Sequence, residues 1–169
     1  MGFFDEALWL LEQLLCEGVR VRLDFFVFPV VLKICCGQCD VELGGQLHGR
    51  VLKQGFVESV YVGNALIDMY GKCGSLGEAK KVLEGMPQTD CVSWNSIISS
   101  CAPNGLVYEA LDLLKNMPAG GGGLAPNIVS WSALIGGFAH NGYDVESVEL
   151  LAGMVGAGMG PNARTLANG

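Results

Sequence analysis

The chain has 169 residues, half of them hydrophobic and only 16% charged, so it has enough apolar material for a packed core. No apolar run reaches the roughly 18 residues that a membrane-spanning helix needs, which excludes an ordinary transmembrane protein. The formal net charge is −7, whereas general nucleic-acid binders normally carry a basic excess.

The first residues, MGFFDEALWLLEQLL, predict an amphipathic helix over residues 3–16 that Gly18 ends. They lack an early basic cluster, so we expect neither a signal peptide nor a transit peptide, and no targeting segment in this chain. The segment Ala163–Gly169 reads as the start of a further helix without its second half. Unpaired apolar faces favour association. We therefore expect self-association through these ends, at the N-terminal side through Phe3, Phe4, Leu8 and Leu11.

The next two predicted helices form a pair. The first is Phe26–Gly37, in which Pro29 is tolerated because its missing N–H falls in the first turn. Asp40 is expected to cap the second helix, Val41–Lys53, and Gly55 to stop it. The predicted inward residues of the first helix are Phe28, Val31, Leu32 and Cys35.

A second pair follows, with a helix over Val62–Lys72 and a partner that runs to about Met86. Ser75 is a candidate N-cap for the partner helix, and Glu78, three residues on, completes the pattern of a capping box. Pro87 prevents the helix from continuing.

Two further pairs complete the chain. Ser93 is expected to cap a helix over Trp94–Ala102, and Ser130 to cap one over Trp131–His140. Their predicted partner helices are Tyr108–Met117 and Val145–Val155. The run of glycines over residues 120–123 reads as a flexible insertion between the two pairs.

The pairs repeat one another at spacings of thirty-odd residues. Asn64 recurs as Asn95 after 31 residues, and Asn95 as Ser132 after 37. Each pair also has a turn glycine, followed five residues later by a small residue and seven residues after that by a methionine. These residues are Gly74, Ala79 and Met86, then Gly105, Ala110 and Met117, then Gly142, Ser147 and Met154. The same offsets give Cys39, Gly44 and Val51 in the preceding, divergent unit. Such periodicity predicts an all-α fold, a right-handed α-solenoid of antiparallel helix-turn-helix repeats whose first helices line the concave face.

The segments NALIDMYGKCGSLGEAKKVLEGMP and VSWNSIISSCAPNGLVYEALDLLKNM resemble the pentatricopeptide repeat family of plant organellar RNA-binding proteins. The alternating unit lengths are similar to the mixed long/short subclass of that family. On this resemblance, residues 1–24 are a partial repeat, residues 25–59 a long repeat and residues 60–90 a short repeat. Residues 91–127 and 128–162 are two further repeats, and residues 163–169 begin another.

In this family each repeat reads one nucleotide, through a residue in the first turn of its first helix and the last residue of the repeat. By register, the resemblance implies the pairs Asn64 with Asp90, Asn95 with Asn127, and Ser132 with Asn162. Short amide, hydroxyl and carboxylate groups on a rigid helix edge suit the edge of an unpaired base. The expected RNA core is 5′-U-Y-A-3′, in which Y is a pyrimidine. The expected residues that sandwich the bases are Tyr61, Val92 and Val129.

A purely structural interpretation competes with this one, because Asn, Asp and Ser near helix starts are common caps and turn formers. We favour base reading because the polar residues recur in register and because Ser93 and Ser130 are available as caps.

Other chemistry finds little support. Seven cysteines, an odd number at helix-compatible positions, indicate a reducing compartment rather than a disulfide framework. Cys36 and Cys39 form a C-x-x-C, but no second such motif supplies the four ligands of a zinc site. His48 and His140 have no matching nucleophile or carboxylate. We therefore predict no catalytic residue, no metal site, no cofactor and no enzymatic activity.

Two functions remain open. The first is a sequence-specific single-stranded RNA-binding module that acts in organellar editing, splicing or processing, in a mitochondrion or chloroplast, with editing or processing factors as further partners. The second is a protein–protein interaction scaffold of the tetratricopeptide type, which also uses two helices per unit and would suit an acidic surface.

Overall fold

The computed structural model describes residues 24–118 and 124–160, and this part of the chain contains eight α-helices, one short 3-10 helix and no strand. The helices are α1 Val27–Gln38, α2 Val41–Gln54, α3 Val60–Lys72, α4 Leu76–Gly85, α5 Cys91–Cys101, α6 Val107–Asn116, α7 Ile128–His140 and α8 Asp144–Gly156. The 3-10 helix Phe56–Glu58 lies between α2 and α3.

The chain divides into two compact halves, Met1–Pro87 and Gln88–Gly169. In the first half, α3 packs against α1, α2 and α4. In the second half, α7 packs against α5, α6 and α8 in the same way. Each half therefore contains two helix hairpins whose first helices lie side by side, and this is the arrangement that the repeat pattern predicts.

The predicted turn positions all adopt the left-handed backbone conformation. The φ angles are 78° at Gly74, 71° at Gly105 and 81° at Gly142. Cys39, at the same offset in the divergent unit, has a φ of 53° and is the one non-glycine residue with a positive φ among the described residues. The left-handed conformation is disfavoured for most side chains, so Cys39 takes at this turn the backbone conformation that glycine takes at the other three.

The recurring small and methionine positions are buried, as predicted. Ala79, Ala110 and Ser147 are at most 3% exposed, and they allow the two helices of a hairpin to approach closely. The methionines at the end of each unit are also buried, with Met154 fully so. The four inward residues predicted for the first helix, Phe28, Val31, Leu32 and Cys35, all lie in the core.

Two predicted helix starts are wrong by three residues. The helices begin at Cys91 and Ile128, and their N-caps are Asp90 and Asn127 rather than Ser93 and Ser130. The reason is a reciprocal capping box, in which the cap side chain accepts from the N3 backbone and the N3 serine hydroxyl accepts from the cap backbone. The serines are thus the N3 partners of the caps.

Other predicted ends need smaller corrections. Helix α3 begins at Val60 instead of Val62, and Ser59 caps it by accepting from the Val62 N–H at 3.5 Å. Ser75 precedes α4 without a side-chain cap, and Glu78 pairs with Lys81 at 2.6 Å, so the capping box predicted there is wrong. The Asp40 cap and the Gly55 stop of α2 are confirmed.

Several expectations lie outside the described residues. They are the helix over residues 3–16 with the self-association expected through its apolar face, the glycine insertion at residues 120–123, and Asn162 with the segment Ala163–Gly169. Within the described part, no helix is long and apolar enough to cross a bilayer.

Candidate nucleic-acid interface

A groove lies between α5 and α7 in the second half of the chain. Its volume is about 560 Å³. It is lined by Cys91, Val92, Asn95, Ser96, Ser99, Asn127, Val129, Ser132 and Ala133. Five of these residues belong to the predicted base-reading or base-sandwiching set, which indicates that the register brings most of that set in this half to one place.

Asn127 forms one wall of the groove from its place as the N-cap of α7. Its Oδ1 accepts hydrogen bonds from the backbone N–H groups of Val129 at 2.9 Å and Ser130 at 3.2 Å. Because these two donors hold Oδ1 against the helix end, the amide nitrogen is on the opposite side of the planar group. The cap thus fixes the orientation of a side chain that also lines the groove.

Asn95, the fifth residue of α5, faces Asn127 across the groove. The Asn95 Nδ2 donates to Asn127 Oδ1 at 3.4 Å. The Asn95 Oδ1 accepts from the buried Ser130 hydroxyl at 2.5 Å. Sequence reasoning paired Asn95 with Asn127, and the structure places them in contact; their role as base readers stays a prediction.

Val92 and Val129 stand on the first turns of α5 and α7, and both line the groove. They are 56% and 54% exposed, respectively, although they are aliphatic. Exposed aliphatic groups beside a polar groove provide surfaces on which a flat ring can pack. Ser132 lines the same groove but is only 8% exposed, and its hydroxyl donates to the Ile128 carbonyl at 2.6 Å.

The other predicted residues are placed as follows. Tyr61, on the first turn of α3, is 59% exposed, and Asn64 lies half-buried one turn further along the same helix. Asp90 belongs to the second half of the chain and caps α5, with its Oδ1 accepting from the Ser93 N–H at 2.9 Å.

Sequence reasoning missed four residues of the groove. Cys91 precedes Val92, and Ala133 follows Ser132. Ser96 and Ser99 lie four and seven residues after Val92, the offsets that place residues on one face of a helix. Ser130 was assigned a cap only, and its link to Asn95 Oδ1 joins two repeats at a separation that no local pattern reveals.

No Lys, Arg, Asp or Glu side chain is among the nine residues that line the groove. It can therefore offer hydrogen bonds and apolar contact, but it has no cation of its own for a phosphate. The groove is thus suited to a neutral polar ring rather than to a charged group.

The cysteines and histidines of the described residues do not form a metal site, since no three ligand-type side chains there are arranged to hold an ion. Burial raises the pKa of the Cys35 thiol to about 11, and burial together with the neighbouring Cys39 raises the pKa of Cys73 to about 12. Thiols with such pKa values stay protonated at neutral pH and are poor nucleophiles.

The model of the PPR repeat matches residues 64–91, 92–121 and 129–159, which together cover more than half of the chain. The chain belongs to the pentatricopeptide repeat family. The three matched ranges correspond to the hairpins α3–α4, α5–α6 and α7–α8.

Curated relatives come from Arabidopsis thaliana. The chain is 40% identical over 121 residues to the chloroplastic pentatricopeptide repeat-containing protein At4g25270, an alignment that covers 72% of this chain and 23% of the relative. It is 41% identical over 96 residues to the mitochondrial protein At3g09040, which covers 57% of this chain and 9% of the relative. The chain thus spans less than a quarter of the length of these relatives.

Solved structures of the maize pentatricopeptide repeat protein PPR10 share the fold. The crystal structure of PPR10 matches with a TM-score of 0.72 and 27% identity, over 97% of this chain and 24% of that chain. The PPR10 complex with an 18-nt psaJ RNA element matches with a TM-score of 0.77 and 26% identity, over 98% of this chain and 24% of PPR10. These matches confirm the predicted fold class, an all-α solenoid of helix-turn-helix repeats.

Proposed function

We propose that this chain is a sequence-specific single-stranded RNA-binding module that reads about one base per repeat. The observation that carries the proposal is the groove between α5 and α7, where Asn95 and Asn127 meet beside the exposed side chains of Val92 and Val129. Its volume of about 560 Å³ falls within the range of roughly 300–1,000 Å³ typical of small-ligand sites. An unpaired base fits such a groove because it is planar and neutral, with polar edges and apolar faces.

The comparisons support RNA over the protein-scaffold alternative. The chain belongs to the pentatricopeptide repeat family by its matched repeats, and PPR10, which shares its fold, has been crystallised with an RNA element. We therefore assign the chain to RNA binding, without catalysis.

The setting is proposed from the relatives. Two of them are named chloroplastic and one mitochondrial, so we place the chain in a plant organelle, as part of a longer array. Editing, splicing or processing of transcripts, with catalytic factors acting in trans, is the role that fits a binding module of this kind. We further propose that it belongs to the mixed long/short subclass, because the unit lengths in the sequence alternate.

We propose that the side chains of Asn95 and Asn127 determine which base binds in the groove. Asn127 presents its amide nitrogen away from the helix end, so it offers a hydrogen-bond donor. Replacement of Asn127 by Asp would keep the cap, because Asp90 already caps α5 in this way, but would turn that donor into an acceptor. The N3–H of uracil needs an acceptor, whereas N3 of cytosine needs a donor.

The test measures the binding of short single-stranded RNAs with the core U-N-A, in which N is each of the four bases. Asn127→Asp should raise the preference for U over C at the middle base by about threefold to tenfold, the effect of one hydrogen bond. The reciprocal change Asp90→Asn, measured with RNAs in which the first base of the core is varied instead, should loosen the preference from U toward C at that base only. Gln46→Glu adds the same charge at an exposed position of α2, so it is the matched control and should leave every base preference unchanged. An equal effect of Asn127→Asp on all four RNAs, with the fold intact, would overturn the assignment.

A further inference from the structure

The hydroxyl of Ser130 joins both amides of the groove. Ser130 is fully buried at the third position of α7. Its Oγ accepts from the backbone N–H of Asn127 at 3.1 Å and donates to the Oδ1 of Asn95 at 2.5 Å. The alternative acceptor for its proton, Asn127 Oδ1, is farther away at 3.3 Å. The short contact therefore directs the hydroxyl proton to Asn95.

This contact determines which way the Asn95 amide faces. If the amide were rotated by half a turn, Asn95 Oδ1 would face Asn127 Oδ1, and two acceptors would meet without a proton between them. The Asn95 nitrogen would then face a hydroxyl that already accepts from Asn127 N–H. The observed orientation satisfies both contacts, so Ser130 and Asn127 together fix it.

The fixed orientation makes the groove rich in donors. One N–H of the Asn95 amide donates to Asn127, and because Asn95 lines the groove we infer that the second N–H is available to a guest. The Oδ1 of Asn127 is occupied by two backbone donors and by Asn95, which leaves its NH₂ group as the polar part that can meet a guest. A base with two adjacent acceptors on its Watson–Crick edge suits such a pair, and cytosine, with O2 and N3, has this edge.

We infer that Ser130 is a positioning residue that holds the Asn95 amide with its nitrogen toward the groove and thereby makes the site prefer cytosine over uracil. The inference rests on the proposed function and deepens it, since Ser130 touches no base itself. It also differs from a helix-capping role, because a cap stabilises α7 without regard to which base is bound.

The experiment compares wild-type protein with Ser130→Ala, Ser130→Thr and Ser130→Cys, using short single-stranded RNAs with the cores U-C-A and U-U-A. Ser130→Ala should reduce the C-to-U affinity ratio by about threefold to tenfold, the effect of one lost hydrogen bond. Ser130→Thr retains the hydroxyl and should restore the ratio. Ser130→Cys replaces the hydroxyl by a slightly larger thiol, which is a weak donor, and should give an intermediate ratio. Ser100→Ala, which removes a buried hydroxyl bonded to the Ser96 carbonyl in α5, is the control and should leave the ratio at the wild-type value.

The side-chain amide resonances of Asn95 provide a readout without RNA. In the wild-type protein the Asn95 amide protons should have shifts that differ from those of an exposed asparagine, and Ser130→Ala should move them toward the exposed values. If wild-type protein shows no base preference at all, the proposed function is wrong. If it shows a preference that Ser130→Ala keeps, or that Ser130→Thr loses, the inference is wrong while the proposed function stands. Should Ser130→Ala fail to fold, the ratios of the Thr and Cys variants decide the question.

Discussion

At the scale of single residues, the same side chains cap helices and line the groove. Sequence reasoning treated these as alternatives and took Ser93 and Ser130 as the caps. The structure assigns capping to Asp90 and Asn127, each through two or more hydrogen bonds. A cap uses one oxygen of the side chain, so the rest of the group still has a defined direction. Capping is therefore how the fold orients a candidate reader.

Two equivalent tryptophans differ in their hydrogen bonding. The Nε1 of Trp94 donates to the hydroxyl of Thr89 at 3.2 Å. The Nε1 of Trp131 is buried and has no partner among the described residues. Pro126 stands five residues before Trp131, where Thr89 stands before Trp94, and proline has no hydroxyl to accept the bond. A buried donor without a partner costs about 1–3 kcal/mol.

This difference predicts unequal effects of the same substitution. Both Trp94→Phe and Trp131→Phe lose part of an indole ring, but only Trp94→Phe also loses a hydrogen bond. Trp131→Phe should therefore destabilise the fold by at least about 1 kcal/mol less than Trp94→Phe, measured as the free energy of unfolding in urea. Thr89→Val, which leaves Trp94 without its acceptor, should destabilise by about 1 kcal/mol. Equal decreases in the free energy of unfolding for Trp94→Phe and Trp131→Phe would contradict this account.

The stability of the first half of the chain should depend on pH through His48. Burial lowers the pKa of its imidazole, with Glu78 opposing the shift, and its Nδ1 lies 3.2 Å from the hydroxyl of Tyr70. In the unfolded chain His48 is protonated near pH 6.5, whereas in the folded chain its lowered pKa means that it is protonated only at a lower pH. The stability linked to His48 is present above pH 6.5 and is lost as the pH falls below it.

We expect the free energy of unfolding to decrease between pH 7 and pH 5, and His48→Gln, which stays neutral, to reduce that decrease. Parallel curves for the wild type and His48→Gln would show that His48 makes no contribution.

At the scale of helices, the sequence predicted which elements exist better than where they begin. All four hairpins from α1 to α8 lie where the periodicity placed them, because each has an apolar stripe and a turn residue in the left-handed conformation. The starts of α5 and α7 were missed because Ser, Asp and Asn all suit an N-cap. Which of them takes that place depends on a reciprocal bond between residues three apart, and two such residues were present at each start.

Glycines within helices divide into two classes. A Cβ added at Gly49 in α2 would meet nothing within 4 Å. A Cβ added at Gly137 in α7 would lie 2.8 Å from the Cβ of Ala102, an atom that cannot move without the backbone. Gly49 is thus a weakness of its helix, whereas Gly137 permits the close approach of two repeats.

The same substitution should therefore have opposite signs at the two sites. Gly49→Ala should stabilise the fold by about 0.5–1 kcal/mol through helix propensity. Gly137→Ala should destabilise it by about 1–3 kcal/mol through overpacking, despite an equal gain in propensity. Urea unfolding monitored by circular dichroism measures both. Stabilisation by Gly137→Ala would show that the contact between α7 and the end of α5 is looser than described.

At the scale of the whole molecule, the fold class and family followed from the repeats, because several residues recur in register. The candidate RNA site could be predicted from the sequence only in part. Register alone brought Asn95, Asn127, Val92 and Val129 to one groove, since equivalent residues of packed repeats must lie near one another. The bond from Ser130 to Asn95 did not follow, because it depends on how α5 and α7 pack and not on the pattern within either helix.

The charge of the molecule predicts how its RNA affinity responds to salt. The net charge is −7, and no Lys or Arg is among the residues that line the groove. Binding of single strands weakens with salt by a slope of about 0.7 per phosphate neutralised, so at most about one such contact is expected here. Between about 50 and 200 mM salt the affinity should then fall by less than about threefold.

The absolute affinity should also be low, because a few stacked bases at about 1–3 kcal/mol each barely exceed the cost of association. We expect dissociation constants of about micromolar or weaker. Fluorescence anisotropy of a labelled RNA with the core U-C-A, titrated at several salt concentrations, measures both quantities. Asp112→Lys changes an exposed residue of α6 that does not line the groove, and it tests whether net charge alone sets the salt dependence of the affinity. This variant should bind all RNAs slightly more tightly and should keep the order of base preference. A tenfold or greater loss of wild-type affinity over the same salt range would mean that phosphate contacts dominate, and the groove would then be secondary to a basic surface elsewhere on the chain.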